Sequence, residues 1–276
     1  MEMMERANQR LKQFNQIVTS HQKIQSNTTQ FRAGVDLGTS SIVLSVLDQA
    51  GKLVFGAYEY DNAVQDGIVV NFMESVNILR RLKQKAEEQI GQELITATGA
   101  IPPNTGQKST KVVANVIEEA GFICTGVVDE PTAAAKFLQM KTGTVVDIGG
   151  GTTGITIFKN GQIKKVIDEA TGGFHMTLVL GGSYRISNDE AEKLKRDKTR
   201  EQEVFLTVKP VVEKMAAIVK KLEPLVEDPV IVVGGATNFK DFVTVFEKEL
   251  HRPVYKPLYP QFVTPLGIAM FDPVKA

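Results

Sequence analysis

The chain has 276 residues, 42% hydrophobic and 23% charged, a balance that excludes a disordered or disulfide-stapled chain and allows one large domain or two lobes. Basic and acidic residues both total 32, so charge gives no reason to expect a nucleic-acid or membrane-surface binder. The single cysteine, Cys124, excludes an intrachain disulfide, and its run Phe122-Ile123-Cys124 predicts a buried, inert thiol. No apolar run approaches the roughly 20 residues of a membrane span, and no secretory apolar region opens the chain. A reducing, cytoplasmic setting is expected.

Residues 1–30 are polar and free of Gly and Pro. Met4, Ala7, Leu11, Phe14 and Val18 recur at spacings of three and four, the stripe of an amphipathic helix. That stripe packs either on its own protein or on a partner or second copy. From Phe31 the globular part begins. Ala33-Gly34-Val35 enters Asp36-Leu37-Gly38-Thr39-Ser40, followed by an apolar strand at 42–47, a turn at Asp48–Gly51 and a third strand at 53–58. Helices are predicted over Glu74–Gln89 and Lys108–Ala120, the second closed by Gly121, and a buried strand over Leu94–Ile101 ends at Pro102-Pro103.

The opening pattern then recurs. Thr144-Val145-Val146 enters Asp147-Ile148-Gly149-Gly150-Gly151-Thr152-Thr153, a strand follows at 155–158, and Asn160-Gly161 gives a hairpin into a strand at 163–167. A repeated strand–turn–strand unit, its second glycine turn read as slightly longer, implies two similar lobes. Beyond it, helices are predicted over Asn188–Lys198 and Glu203–Leu222, Pro210 marking the true start of the latter, and a short strand over Pro229–Val233 ends in Gly234-Gly235.

Gly149-x-Gly151-x-x-Gly154 matches a dinucleotide fingerprint, but that motif must open a helix, and here a β-branched strand and hairpin follow. No Gly-Lys-Ser/Thr follows either, which disfavours a P-loop. The turns still suit phosphate, because glycines bring backbone N–H groups close to an anion and Thr39, Ser40, Thr152 and Thr153 add hydroxyls. Two carboxylates, Asp36 and Asp147, converging on a polyphosphate require a cation, for which a largely hydrated magnesium is the natural choice. His21, His175 and His251 show no ligand spacing.

With both turns placed, the chain resembles the superfamily of actin, DnaK-type chaperones, MreB and sugar kinases. Five segments carry the resemblance in order: 35–40, the first phosphate motif; 128–135, a connecting helix; 146–153, the second phosphate motif; 232–236, the adenosine motif; and 264–269, the second connecting helix. The resemblance implies an α/β, actin-like ATPase fold of two ribonuclease-H-like lobes with small MreB/FtsA-type subdomains. Lobe I would span 31–134, completed by a helix at 264–276, and lobe II 135–263, with an adenosine-contacting subdomain inserted at about 183–228. It also implies ATP or ADP with magnesium: Asp36 and Asp147 order the metal through water, and Glu130 positions the attacking water. Gly38, Thr39, Ser40, Gly149, Gly150, Gly151, Thr152 and Thr153 cradle phosphates. Glu192, Lys195 and Arg196 bracket the adenosine, with Gly234 and Gly235 against the sugar and α-phosphate and Ala236 and Asn238 also binding the nucleotide. His175 sits where the superfamily places a turn facing the phosphates, as turn packing or a γ-phosphate sensor.

Some positions depart from that pattern. Gly154 stands where chaperones carry an acid, Asn238 where they carry a base-stacking Arg, and Lys240 where they carry Pro. Asp66-Gly67-Ile68-Val69 is closer to MreB and FtsA, and slow turnover or none is expected. Within the superfamily the chain is similar to the DnaK-like proteins encoded with ethanolamine-utilisation enzymes. This implies a chaperone-like or assembly role in a bacterial microcompartment, with ethanolamine-pathway enzymes or microcompartment proteins as partners and self-association through residues 1–30. The competing readings are a filament-forming or scaffold ATPase and a small-molecule kinase, the latter needing a general base beside its acceptor.

Overall fold

The structure is a computed structural model that describes residues 2–20, 28–60, 64–65, 68–103 and 105–273. His21, Asp66 and Gly67 lie outside the described residues, as do 274–276 of the expected last helix. The repeat in the sequence extends to whole lobes. In the first, β1 (Phe31–Leu37), β2 (Ser41–Asp48) and β3 (Leu53–Tyr60) run antiparallel, and a short ribbon of β4 (Val64–Gln65) and β5 (Ile68–Val69) leads to α2 (Phe72–Ile90). Then follow β6 (Thr96–Ile101), α3 (Gln107–Glu119), β7 (Ile123–Asp129) and α4 (Glu130–Leu138). The second lobe repeats this with β8 (Gly143–Ile148), β9 (Thr153–Lys159) and β10 (Gln162–Glu169), then α5 (Gly173–Tyr184), α6 (Asn188–Arg196) and α7 (Glu201–Lys220). It closes with β11 (Val230–Val233), α8 (Phe242–Leu250), β12 (Val254–Tyr255) and α9 (Val263–Ala269). The sheets are ordered β3-β2-β1-β6-β7 and β10-β9-β8-β11-β12, each with two antiparallel pairs followed by two parallel ones.

Each sheet has its own core. Val35, Leu44, Val46, Leu79, Leu82 and Ile117 belong to the first, and Val146, Ile155, Val208, Met215, Val232 and Phe246 to the second. A third cluster lies between them. There α4, from the first lobe, packs on β8 and β9, while α9, from the second, packs on β1 and β2. The lobes are therefore interlocked through an exchanged pair of helices, and a boundary at 134/135 falls inside α4.

Three further expectations change. The helix predicted to start at Pro210 runs through it, from Glu201 to Lys220, because Val204, Phe205 and Val208 continue the buried face upstream of the proline. That helix sits in the second core with Val146 and Val230, so residues 183–228 are not a separate subdomain. Cys124 is half-buried, because β7 is an edge strand with Ile123 54% exposed, although burial still pushes the thiol up and keeps it protonated.

The N-terminal stripe is occupied by its own protein. In α1 (Glu2–Ser20), Ala7, Leu11, Phe14, Ile17 and Val18 are buried against Leu53, Phe137 and Phe262. The helix touches both lobes: Phe14 lies on the bare backbone of Gly56 in β3, and Asn8 Oδ1 accepts the Leu258 N–H at 2.7 Å. At the other end of the chain, Asp272 is 1% exposed and accepts from Ala33 N–H (3.0 Å), Thr96 Oγ1 (2.9 Å) and Thr125 Oγ1 (2.6 Å), tying the tail to three strands. Asp272→Ala orphans those three donors and is expected to cost about 2 kcal/mol. Urea denaturation checks this, and an unchanged midpoint would count against it.

Candidate functional site

The two glycine turns are the same length, contrary to the expectation of a longer second one. Leu37 pairs with Ile42 and Ile148 with Thr153, so four residues lie between partners in each copy. The same internal bond recurs, Gly38 N–H to Ser41 O and Gly149 N–H to Thr152 O, both 3.1 Å. The turns face one another so closely that a Cβ on Gly150 would stand 2.7 Å from Ser40 Oγ.

Behind them opens a cleft of about 520 Å³ between the lobes, within the usual range for small-molecule sites. Asp36, Glu130 and Asp147 line it, as do Gly38, Thr39, Ser40, Gly149, Gly150, Gly151 and Thr152. Glu192, Lys195, Arg196, Gly234, Gly235, Ala236 and Asn238 line it too, Gly234 so close to Asp147 that a Cβ there would stand 2.5 Å from its Oδ1. One expected phosphate ligand is corrected. Thr153 is fully buried and its hydroxyl donates to Thr171 O at 2.6 Å, so β9 turns it away from the cleft. His175 does not line the cleft either; its Nδ1 accepts the Gly172 N–H at 3.2 Å and caps α5.

The carboxylates are under strain from burial and from each other. Glu130 opens α4, just after Asp129, whose side chain caps the helix by accepting the Thr132 N–H at 3.0 Å. Burial, then the charges of Asp147 and Asp36, push Glu130 well above the usual carboxylate range. Burial and the Asp147 charge raise Asp36 to about 7. Asp147 is raised to about 6 by burial, against a hydrogen bond from Thr264 Oγ1. Among the described residues no three acidic, His or Cys groups close in on one point tightly enough to hold an ion directly. Two buried carboxyls, Asp36 and Asp147, beside glycine turns that present backbone N–H groups are a donor set compatible with a cation that keeps most of its water shell, as magnesium does.

Around Glu192 and Lys195 the ionic groups of the cleft are already engaged. Lys195 Nζ donates to Gly173 O (2.8 Å), Thr177 Oγ1 (2.8 Å) and Glu192 Oε2 (2.5 Å), so all three of its donors are used. Against the cost of burial, the Lys195 charge and hydrogen bonds from Lys195 and Thr177 hold Glu192 below its usual range. Asn238 donates from Nδ2 to Gln261 Oε1 at 2.7 Å, and both amides line the cleft.

Sequence reasoning missed several participants. Helix α5 was not predicted, only its start at 172–175 being read as a turn, because its glycines and all-round apolarity hide its period; yet its Gly173 and Phe174 N–H groups bond Gly149 O and Gly150 O and so hold the second turn. Asp168, on β10 directly across from Gly154, raises both Asp147 and Glu130 by its charge. Asn15, Tyr58 and Tyr60 also line the cleft. The Asn160-Gly161 hairpin pairs β10 with β9, but a one-residue shift in register between Ile163 and Lys165 is what sets Asp168, rather than Ile167, across from Gly154, and nothing in the sequence signals that shift.

Known proteins agree with this architecture. The family profile of the cell division protein FtsA matches residues 144–267. Ethanolamine utilization protein EutJ of Escherichia coli (strain K12) is 41% identical over 245 residues, 88% of this chain and 86% of that protein. The crystal structure of EutJ from Carboxydothermus hydrogenoformans superposes with a TM-score of 0.92 at 42% identity, covering 97% of this chain and 99% of the other. MreB5 of Spiroplasma citri, solved bound to AMPPNP, shares the fold at a TM-score of 0.71 and 15% identity, over 88% of this chain and 96% of its own. The chain belongs to the EutJ family of ethanolamine utilization proteins, within the actin/Hsp70-like ATPase superfamily.

Proposed function

We propose that the chain binds ATP or ADP with a hydrated magnesium ion in the inter-lobe cleft, and that nucleotide sets the angle between the lobes. Through that motion it acts as a chaperone-like or assembly factor for ethanolamine-pathway enzymes or microcompartment proteins. The observation that carries this reading is the twofold copy of one glycine turn, aiming Asp36 and Asp147 into a single cleft of about 520 Å³. Bound magnesium supplies the positive charge that lets these carboxylates ionise beside a polyphosphate. The backbone N–H groups of the turns, with Thr39, Ser40 and Thr152, hold phosphate oxygens. Glu130 orients a water, and Thr264 holds Asp147 from the hinge helix, which links the metal site to lobe rotation. Turnover is slow, because the β9 acid that chaperones carry is Gly154 here and Glu130 resists ionisation.

Calorimetric titration with magnesium and ATP tests the reading. One site per chain is expected, weakened at least about tenfold by Asp147→Ala, which removes a carboxylate from the metal's water shell. Absence of heat and of any thermal shift in the wild type would reject it. For the partner, purified ethanolamine-pathway enzymes should be retained by the wild type in a nucleotide-dependent way and not by Asp147→Ala.

A further inference from the structure

Arg196 and Tyr60 meet across the cleft mouth. Arg196 ends α6 on the second lobe, and its guanidinium carbon lies 4.0 Å from the ring centroid of Tyr60, the last residue of β3 on the first. Both line the cleft. Tyr60 is 60% exposed, and an unsupported side chain there would lose considerable freedom on being fixed. Each partner is instead held from behind. Arg196 Nε donates to Glu192 Oε1 at 2.8 Å, and Glu192 is itself fixed by Thr177 and Lys195. On the other side an aromatic ladder supports Tyr60: Tyr58 edge-on at 5.1 Å, then Phe262 at 6.2 Å from Tyr58, then Phe14 of α1 edge-on to Phe262 at 5.1 Å. The ladder thus ties the cleft mouth to the N-terminal helix, which itself lines the cleft with Asn15.

We infer that the Arg196–Tyr60 stack is a latch across the mouth of the cleft, by which the first lobe controls nucleotide exchange. At 4.0 Å no ring fits between guanidinium and phenol, so a nucleoside enters or leaves that gap only when the lobes part. The contact lies at the mouth, away from the α4–α9 crossing, so breaking it removes one tie between the lobes while that crossing, the α1 contacts and the Tyr58–Phe262 contact remain. The aromatic ladder links the latch to α1, because Tyr60 touches Tyr58, Tyr58 touches Phe262, and Phe262 touches Phe14. The inference rests on the nucleotide reading of the cleft.

Two measurements separate the latch from that reading. In the first, release of N-methylanthraniloyl-ADP is followed by stopped flow. Tyr60→Ala is expected to release about tenfold faster than wild type, the size of one partly desolvated cation–π contact, and Tyr60→Phe, which keeps the ring, within about twofold. The second needs no nucleotide. Spin labels at Glu88→Cys on α2 and Lys193→Cys on α6, in a Cys124→Ser background, should report a longer and broader distance distribution when Tyr60→Ala is added. Identical distributions with and without Tyr60 overturn the latch. A shifted distribution in a protein that binds no labelled ADP rejects the nucleotide reading and control of exchange with it, whereas a shifted distribution with a wild-type release rate overturns control of exchange alone.

Discussion

Gly267→Val is expected to cost at least about 4 kcal/mol, lowering the melting temperature by roughly 10 °C, and to release the lobes from each other. A Cβ at that position would stand 1.9 Å from Ala133 O and 2.4 Å from the Ala133 carbonyl carbon. Both are backbone atoms of the facing helix, so no rotamer change relieves the overlap and α4 and α9 must move apart. That displacement is costly because each helix is lodged in the other lobe. Ala133, Ala134 and Ala135 are at most 4% exposed, and Leu266, Ile268 and Ala269 are fully buried. Separating the helices opens voids on both sheets and pulls Thr264 from Asp147, so magnesium-dependent nucleotide binding should fall along with stability. Gly182→Ala is the control, since a Cβ there meets nothing within 4 Å. Differential scanning calorimetry of both variants decides the matter, and a wild-type melting temperature in Gly267→Val would show that the crossing is not the structural hinge.

The tightness of that crossing was partly legible, because Ala133-Ala134-Ala135 and Gly267 are small residues in two segments expected to meet. The glycine turns were legible for a stronger reason: Asp-x-Gly at a strand end is a local arrangement, written wholly in consecutive residues. What stayed hidden depends on pairing between distant segments. The lobe-wide repeat was visible only in its first three strands, since α7, the counterpart of α2 in chain order, follows the extra pair α5 and α6 and contains Pro210. Asp168 acquires its role only through a register that places it across from Gly154, itself across from Asp147. The polar N-terminal stretch gave its helix but not its partner, because an apolar stripe has the same period whether it meets β3 or another molecule. Lys195 was read as a nucleoside ligand from its motif, and the sequence carried no sign that Gly173 O, Thr177 and Glu192 would take its donors.

Asp36→Asn should stabilise the metal-free protein and remove its stabilisation by magnesium and ATP, so the wild-type and variant melting curves exchange order when ligand is added. In the folded chain the Asp36 carboxyl is raised from an ordinary value of 3.8 to about 7, first by burial and then by Asp147. Asp147 is raised to about 6 and Glu130 further still in direction. A carboxyl raised on folding binds more protons in the folded than in the unfolded chain throughout the window between its two values. Its contribution to stability is therefore complete below about pH 4 and is lost as pH rises through about 7. Metal-free wild type should accordingly lose stability from pH 5 to pH 8 on account of these groups. The neutral amide of Asp36→Asn abolishes one such contribution and relieves the repulsion on its neighbours. After discounting the raw shift for the cleft's access to water, the gain at pH 8 is roughly 2 kcal/mol, fading toward pH 5. Ligand reverses the balance. At a hundredfold excess over Kd, magnesium and ATP add about 2.7 kcal/mol to a competent site, and the variant forgoes most of it. Because the carboxyls must shed protons to hold the hydrated ion, binding to the wild type should release protons and weaken from pH 8 to pH 6, measurable by calorimetry in buffers of different ionisation enthalpy. Residues whose charge harms the empty fold and benefits only the loaded one are retained for binding, not for folding. An Asp36→Asn protein that melts with the wild type in metal-free buffer and keeps its response to magnesium and ATP would remove these carboxylates from the site altogether.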